Sequence, residues 1–463
     1  MVYTTKNNGI IRSKGEDIYI YIYMEKLTSW MEEHFVPIAI KIGSQKHLVA
    51  IRDAFISIMP ITMAGSVAVL LNALVRDLPA KFGADGITDA FSWLIGINGN
   101  IWFGTLAILA LVFAFAIGYQ LSKAYDVDPL AGGLISLASF IVVTPQVASI
   151  DVAGLAEPVV GWGFIGIGYM DAKGLFTALI VGFIATIIYA KLMNKNITIK
   201  LPDQVPPAVS RAFASIIPGC VALYAVGTLA YLTSTFFDAS VGDLILKYVQ
   251  MPFLNVSQGL GSVIFVTMSV SVFWFFGLHG TNVLAPALDG VYKVALTANT
   301  NAYNAALSAD NLPYLWTRGS FDAFAWMGGA GCTLGLIIAL LIFSKREENR
   351  AVAKLSAPMG LFNINEPVIF GLPIVLNPIY LIPWILVPTI LVTIAYLATS
   401  AGLVPPVFLE VPWVMPPILY AWMATGFSFS AALLALINLV IGTAIWAVFV
   451  LVANKIDYTE AQK

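Results

Sequence analysis

Long apolar runs separated by short polar stretches dominate the sequence, and they predict an all-α protein that crosses a membrane many times. A spanning helix needs about 20 consecutive, mainly apolar residues, and by that measure the chain offers about ten candidates. They lie near residues 51–74, 101–121, 129–145, 172–192, 212–235, 258–278, 283–298, 323–343, 379–402 and 427–452.

Two further apolar stretches are interrupted by prolines, and we expect them to form re-entrant hairpins. Residues 355–378 contain four prolines and residues 404–417 contain five. A proline inside a helix removes a backbone hydrogen bond. Within a membrane such a break is tolerated where the backbone is buried in protein or lines a water-filled cavity. A plain proline-rich loop is the alternative interpretation of residues 404–417.

Composition agrees with a membrane protein and excludes several other classes. Of the 463 residues, 59% are hydrophobic and 11% are charged, whereas soluble domains average about 45–50% and 25%. The net charge of −2 provides no attraction for nucleic acid. The two cysteines lie in apolar runs, without a CxxC pair or a neighbouring histidine, so neither a disulfide framework nor a metal site is expected. No Walker, HExxH or GxSxG motif is present, and we predict no cofactor.

The distribution of lysine and arginine predicts the orientation in the membrane. Basic residues precede the first predicted span and follow the second and fourth, whereas residues 146–171 contain none. This places both termini in the cytoplasm, provided that the polar segment 283–298 also crosses. Because that segment contains Asp289 and Lys293, we expect it to face a cavity rather than lipid.

Glu366 is the first candidate for a functional side chain. It lies in the motif NINEP, between apolar flanks. Burying a carboxylate costs several kcal/mol after relaxation, and a carboxylate within a membrane segment is a functional-site hypothesis by default. With Asn363 and Asn365 beside it, the motif offers both donors and acceptors to sugar hydroxyls. The alternative is a structural glutamate that caps a broken helix.

His279, Asn282 and Trp413 are the other candidates. His279 ends the aromatic run VFWFFGLHG just before the polar crossing, and Asn282 follows three residues later. Trp413 lies between prolines and offers a flat apolar face on which a sugar ring can stack. The alternatives are an ordinary buried histidine for His279 and an aromatic residue of the membrane interface for Trp413.

Three segments resemble those of a known family: FFGLHG at 275–280, KLPDQVPPAVSRAF at 200–213 and LFNINEPVIFGLPIVLNP at 361–378. They are similar to the membrane IIC component of bacterial sugar phosphotransferase systems, in the lactose/cellobiose/diacetylchitobiose group. The resemblance extends from Met24 to about Asn454. It implies an elevator-type IIC fold of the glucose superfamily, with about ten transmembrane helices, two re-entrant hairpins and a homodimer in the bacterial inner (plasma) membrane.

The resemblance also implies a function. A IIC subunit imports a β-linked disaccharide, and a separate soluble IIB subunit phosphorylates its 6-hydroxyl from a phosphocysteine. IIA, HPr and enzyme I recharge IIB from phosphoenolpyruvate. Cellobiose is the first expected substrate, followed by diacetylchitobiose and lactose or an aryl β-glucoside. The sugar contacts of the family correspond to His279 and Glu366, which we assign to catalysis. The residues assigned to sugar binding are Glu366, His279, Asn282, Asn363, Asn365 and Trp413.

The chain is divided into five expected regions. These are an upstream extension (1–23), an amphipathic lead-in (24–50), a dimerisation and scaffold half (51–256), a substrate-binding transport half (257–454) and a cytoplasmic tail (455–463). Two other functions stay open: a cation-coupled disaccharide transporter with Glu366 and His279 as a proton relay, and a membrane sugar sensor. Four basic residues could help to dock the IIB subunit at the cytoplasmic face: Arg211, Lys345, Arg346 and Arg350. The alternative is that they only reflect the general excess of basic residues in cytoplasmic loops.

Overall fold

The computed structural model describes Glu33, Lys41 and residues 44–150, 159–202, 204–306, 308–372, 374–375 and 377–454. The predicted extension, most of the lead-in and the tail lie outside the described residues. The helices are α1 (Lys46–Ser57), α2 (Met59–Asn72), α3 (Leu78–Lys81), α4 (Asp85–Ala90), α5 (Ser92–Phe103), α6 (Leu109–Ala124), α7 (Pro129–Val143), α8 (Leu175–Asn194), α9 (Pro207–Phe237), α10 (Val241–Ile245), α11 (Met251–Ser257), α12 (Leu260–Phe275), α13 (Gly280–Val283), α14 (Ala285–Ala287), α15 (Lys293–Ala306), α16 (Arg318–Phe324), α17 (Thr333–Phe343), α18 (Glu347–Leu361), α19 (Glu366–Gly371), α20 (Pro378–Ser400), α21 (Pro417–Ala424) and α22 (Phe429–Ala453).

Shorter elements connect these helices. Three π-helical turns continue α2, α10 and α14: Ala73–Asp77, Leu246–Gln250 and Leu288–Tyr292. Two strands, β1 (Val147–Ile150) and β2 (Val159–Trp162), form an antiparallel pair in which Val147 is opposite Trp162.

Six helical stretches of the described chain are long and apolar enough to cross a membrane. They are Met59–Ala80, Ser92–Ala124, Ala172–Asn194, Pro207–Phe237, Tyr380–Ser400 and Phe429–Ala453. A seventh candidate is the pair Val241–Ser257 and Leu260–Phe275, which is bent by 84°. Helices α7 and α17 are apolar but shorter. These stretches confirm an all-α, multi-pass membrane protein.

The first predicted span starts later than the sequence indicates. Residues 51–74 divide at Ile58, where α1 ends and α2 begins, so the candidate span starts at Met59. Pro60 in the first turn of α2 has no N–H for the carbonyl of residue 56, which explains the break.

The prediction of one continuous helix over residues 323–343 is wrong. Helix α16 ends at Phe324 and α17 begins at Thr333, with a non-helical turn between them. Four residues of this turn lie in the left-handed region of φ, which interrupts a right-handed helix. They are Gly328 (φ 86°), Gly329 (φ 106°), Gly331 (φ 85°) and Cys332 (φ 55°).

The glycines of this turn have no side chains, which allows the turn to pack closely against the proline-interrupted segments. A Cβ atom on Gly329 would lie 2.6 Å from the side chain of Asn365, and one on Gly331 would lie 2.6 Å from the ring of Trp384. Glycine at both positions therefore brings the turn against Asn365, next to the strongest candidate of the sequence analysis.

The stretches predicted to be broken are interrupted in the structure. The stretch 355–378 divides between α18 and α19, whereas the predicted crossing 283–298 lies in a helical run formed by α14, a π-helical turn and α15. Residues 404–416 are non-helical and lead into α21.

The buried apolar residues form one large cluster and two smaller ones. Residues between Val263 and Ala453, joined by Leu70 and Ala73, make the large cluster. The smaller clusters are built mainly from residues 50–178 and 143–245. Helix α15 contributes to two of them, because Leu296 packs in the large cluster and its neighbour Ala295 packs in a smaller one. The first residue of α15, Lys293, thus lies close to where the two cores meet.

Candidate functional site

A cavity of about 650 Å³ lies where α1 and α2 face the broken segments of the second half. Apolar side chains of α1 and α2, such as Phe55 and Met59, form one side of its wall. All six residues selected from the sequence line this one cavity: His279, Asn282, Asn363, Asn365, Glu366 and Trp413. The tertiary structure therefore brings together candidates that are up to 134 positions apart (413 − 279).

His279 caps the N-terminus of α13, and this fixes its ring. Its Nδ1 atom accepts a hydrogen bond from the backbone N–H of Asn282 at 3.3 Å and lies 3.0 Å from the hydroxyl of Thr281. Since Nδ1 acts as an acceptor, the ring proton of a neutral His279 lies on Nε2. Nε2 is 3.7 Å from Oε1 of Glu366, and the ring packs on Trp274 with centroids 4.4 Å apart. The geometry aims a donor at the carboxylate.

Glu366 is the first residue of α19, and Pro367 follows it. Its side chain is 45% exposed to the cavity, although the helix lies within an apolar segment. The carboxylate is close to the backbone N–H groups of Asn365 and of Glu366 itself. These N–H groups and His279 are placed to donate hydrogen bonds to the carboxylate, so the protein holds this acceptor in a fixed position at the cavity.

Asn363 joins three segments around the cavity. Its Nδ2 donates to the carbonyls of Trp413 at 2.6 Å and Met415 at 2.8 Å, and its Oδ1 accepts from the N–H of Gly328 at 2.8 Å. Its φ of 62° is in the left-handed region, which asparagine tolerates better than most residues. Both amide N–H donors of Asn363 are thus used by the protein, which leaves neither for a ligand.

Asn365 is also used structurally. It is 5% exposed, and its Nδ2 donates to the carbonyl of Ala330 in the glycine turn at 3.3 Å. The sequence analysis treated Asn363 and Asn365 as equivalent to Glu366. The structure instead places their amides on the backbone that surrounds Glu366.

Replacing Asn363 by aspartate tests this arrangement. The change removes both N–H donors and sets a carboxylate against two carbonyl oxygens. We therefore expect the affinity for cellobiose, the substrate that the resemblance implies, to fall by about 10-fold or more although Glu366 is intact. Calorimetric titration of the purified protein measures the effect. Asn349→Asp, on α18 and away from the cavity lining, is the matched control. Equal affinities for the two variants would contradict the positioning role.

Trp413 lies on the non-helical stretch 404–416 and is 38% exposed. Side chains of other segments hold this stretch in place. Asn299 donates to the carbonyl of Val407 at 3.1 Å, and Thr300 donates to that of Phe408. Together with Asn363 at the other end, these bonds fix the indole at the cavity wall.

A group of charged residues lines the same cavity, and we call it the charged cluster: Asp289, Lys293, Arg318, Asp322 and Glu410. The sequence predicted that the segment with Asp289 and Lys293 faces a cavity, as it does, but sequence reasoning missed the other three residues. Lys293 Nζ is 3.0 Å from Glu410, and Arg318 Nη1 donates to Asp322 at 2.6 Å. Arg318 Nε is 3.9 Å from Asp289. Two features of the sequence could have indicated the missed residues. Arg318 and Asp322 are an i,i+4 pair of opposite charge, and Glu410 is the one carboxylate within the proline-rich stretch.

Among the described residues, no group of three or more His, Cys, Asp or Glu side chains is placed to hold a metal ion.

Broken helices around a polar cavity, inside a multi-pass helical protein, define the class of membrane transporters for polar solutes. The family model described as "Phosphotransferase system, EIIC" matches residues 52–388. The chain belongs to this family, and the resemblance seen in its motifs is confirmed.

Individual relatives agree with this assignment. The chain is 44% identical to the cellobiose-specific EIIC component of Lactococcus lactis subsp. lactis (strain IL1403), over 94% of this chain and 100% of that protein. It is 33% identical to the oligo-beta-mannoside-specific EIIC component of Bacillus subtilis (strain 168), over 94% and 95%. Its fold is similar to the crystal structure of ChbC, the IIC component of an N,N'-diacetylchitobiose-specific phosphotransferase system. The TM-score is 0.86 at 31% identity, over 94% of this chain and 99% of that one.

Proposed function

We propose that the protein is the membrane permease, or IIC subunit, of a phosphoenolpyruvate-dependent phosphotransferase system that imports a β-linked disaccharide. Cellobiose is the first candidate, and diacetylchitobiose and lactose follow. The observation that carries the proposal is the His279–Glu366 pair, which faces a cavity large enough for a two-ring sugar. The names of the similar proteins support the choice of sugar class.

The chemistry follows from positioning and charge. In phosphoryl transfer the protein contributes mainly orientation and electrostatic stabilisation. We assign Glu366 to hold the 6-hydroxyl and accept its proton as the phosphoryl group arrives from the phosphocysteine of a separate IIB subunit. His279 Nε2 orients the carboxylate. The negative charge of Glu366 also repels a sugar that already carries a phosphate, which favours release of the product.

The remaining site residues take different roles in this proposal. Trp413 provides the face on which a sugar ring stacks. The Asn282 side chain lines the cavity and makes no hydrogen bond within the described part of the chain, so its amide is available to a hydroxyl. Asn363 and Asn365 act as positioning residues through the backbone bonds described above.

We further propose the architecture that goes with this function. It comprises ten crossings, re-entrant hairpins at 355–378 and 404–417, a scaffold and dimerisation half (51–256) and a moving transport half (257–454), in a homodimer of the bacterial inner membrane with both termini cytoplasmic. The large buried core lies mainly in the second half and the two smaller cores lie mainly in the first, which supports this division. Exposed apolar residues along α9, such as Tyr224 and Phe236, are suited to contact with lipid or a second subunit.

Uptake of radiolabelled cellobiose tests the proposed function. Vesicles that contain the protein are loaded with phosphoenolpyruvate, enzyme I, HPr and the cognate IIA and IIB. We expect the label to accumulate as sugar phosphate and uptake to stop when phosphoenolpyruvate is omitted. Accumulation of free sugar that an uncoupler dissipates would instead indicate a cation-coupled transporter. If cellobiose is not taken up, chitobiose and lactose are the next probes, and failure of all three would contradict the proposal.

A further inference from the structure

The cavity has two polar regions rather than one. The His279–Glu366 pair forms the first and the charged cluster forms the second, and both line the same space. Within the described chain, no hydrogen bond or ion pair joins the two regions. The proposed function uses only the first region, so the second needs its own explanation.

Charged side chains inside a membrane protein are costly and usually serve a function. The charged cluster comprises two cations and three carboxylates, so its charges are almost compensated. With all five groups ionised, only one negative charge is left uncompensated, so the cluster attracts an ionic ligand weakly. A dense set of donors and acceptors with little net charge is instead suited to a neutral ligand with several hydroxyl groups.

Some of the hydrogen-bonding capacity of the cluster is unused. Arg318 is held by Asp322 and lies over the ring of Trp326, 5.2 Å from its centroid. Asp289 has a weaker partner, Arg318 Nε at 3.9 Å, and makes no hydrogen bond among the described residues. Asp289 can thus accept a hydroxyl donor without breaking a short bond. Lys293 has three N–H donors, and its Nζ forms an ion pair with Glu410 at 3.0 Å.

Tyr420 provides a second, independent observation. The residue is 2% exposed, and it lines the cavity together with Asp322, Arg318 and Glu410. Nevertheless, no described residue pairs with its hydroxyl by a hydrogen bond. Because Tyr420 lines the cavity, its hydroxyl can pair with a hydroxyl group of a ligand that enters there.

The size of the cavity agrees with a ligand that reaches both regions. Pockets of roughly 300–1,000 Å³ hold ligands of drug size, and a cavity of about 650 Å³ exceeds what one sugar ring fills. A ring held by Glu366, His279 and Trp413 leaves room for a second ring beside the charged cluster.

We infer that the charged cluster and Tyr420 form a second carbohydrate subsite, in which Asp289, Lys293 and the Tyr420 hydroxyl bind the hydroxyl groups of the sugar unit that is not phosphorylated. This inference rests on the proposed function, because it assigns the other sugar unit to Glu366. The charged cluster then determines the specificity of the permease for a second ring that carries several hydroxyl groups.

The experiment compares two ligands that differ in the second unit. Cellobiose presents hydroxyl groups there, whereas phenyl β-glucoside presents an apolar ring. Dissociation constants of the full-length protein, purified in detergent, are measured by calorimetry for the wild type, Asp289→Asn and Tyr420→Phe. Asp53→Asn, which loses an arginine–aspartate pair outside the cavity lining, is the control.

We expect Asp289→Asn to weaken cellobiose binding by about 10-fold, because a bond to a charged acceptor is lost. Its affinity for phenyl β-glucoside should change by less than about twofold, as expected for sites that act independently. Tyr420→Phe keeps the ring in place and should show the same selectivity with a smaller loss. Asp53→Asn should match the wild type with both ligands.

Other outcomes separate this inference from the proposed function. Unchanged cellobiose affinity in both cavity variants would overturn the second subsite, and so would equal losses for the two ligands. If the wild type binds cellobiose but not phenyl β-glucoside, binding requires polar contacts to the second unit. The dissociation constants of the two cavity variants for cellobiose then decide whether the second subsite exists. A wild type that binds no disaccharide contradicts the proposed function itself.

Discussion

Replacing Glu366 by glutamine is expected to reduce phosphoenolpyruvate-dependent uptake by about 100-fold or more, because general-base catalysis contributes roughly 10²–10⁴-fold. Glutamine has nearly the same shape but does not accept the hydroxyl proton, and it loses the charge-assisted bond to the sugar. Uptake of labelled disaccharide into vesicles and binding to the purified protein measure the two effects. We expect weak binding and little transport.

The control for Glu366→Gln is the same substitution at Glu347. Glu347 is an exposed residue in the first turn of α18, one segment before the site. Glu347→Gln should transport like the wild type at equal abundance in the membrane. Full uptake by Glu366→Gln would refute the assigned role of the carboxylate.

Replacing Arg318 by methionine is expected to destabilise the fold by about 3–5 kcal/mol, the usual result of removing one partner of a buried ion pair. Arg318 is 20% exposed and faces both Asp322 at 2.6 Å and Asp289 at 3.9 Å. Without the Arg318 guanidinium, the carboxylates of Asp289 and Asp322 remain in the cavity wall and lose the cation that faces them both. The midpoint of thermal unfolding in detergent, together with the yield of folded protein, measures the loss.

Two further variants show whether uncompensated charge is the cause. The double variant Arg318→Met/Asp322→Asn also removes one of the two carboxylates left without an arginine partner. Its free energy of unfolding should therefore recover part of the loss. Arg211→Met breaks a pair with Asp128 in which the arginine is 61% exposed, and exposed pairs contribute only about 0–1 kcal/mol. If Arg318→Met were no less stable than Arg211→Met, the cluster would not be held by its internal pairing.

The class of the protein was predictable from sequence because a bilayer imposes simple constraints. Long apolar runs must become helices, since lipid offers no partner for backbone polar groups. An isolated carboxylate or histidine in such a run is costly, and this cost identified Glu366 and His279. Both line the cavity, at ion-pair distance from one another.

The local path of the backbone was less predictable. Residues 323–343 have the composition of one spanning helix, but three glycines with positive φ turn the chain between α16 and α17. Glycine occurs often in membrane helices as well, so the residue type does not distinguish a turn from a helix. The contacts of Asn365 and Trp384 with this turn decide its conformation.

The sequence by itself determined a multi-pass helical protein, the family motifs and the two side chains that lie at the centre of the site. Tertiary structure alone decided how the charges pair. Lys293 and Glu410 are distant in the chain, and each lies among residues that also suit a span end or a loop. Ion pairs depend on distances of a few ångströms between segments, and apolar periodicity carries no information about them. For the same reason, only the folded chain showed that Asn363 binds backbone carbonyls and that Tyr420 lines the same cavity as the charged cluster.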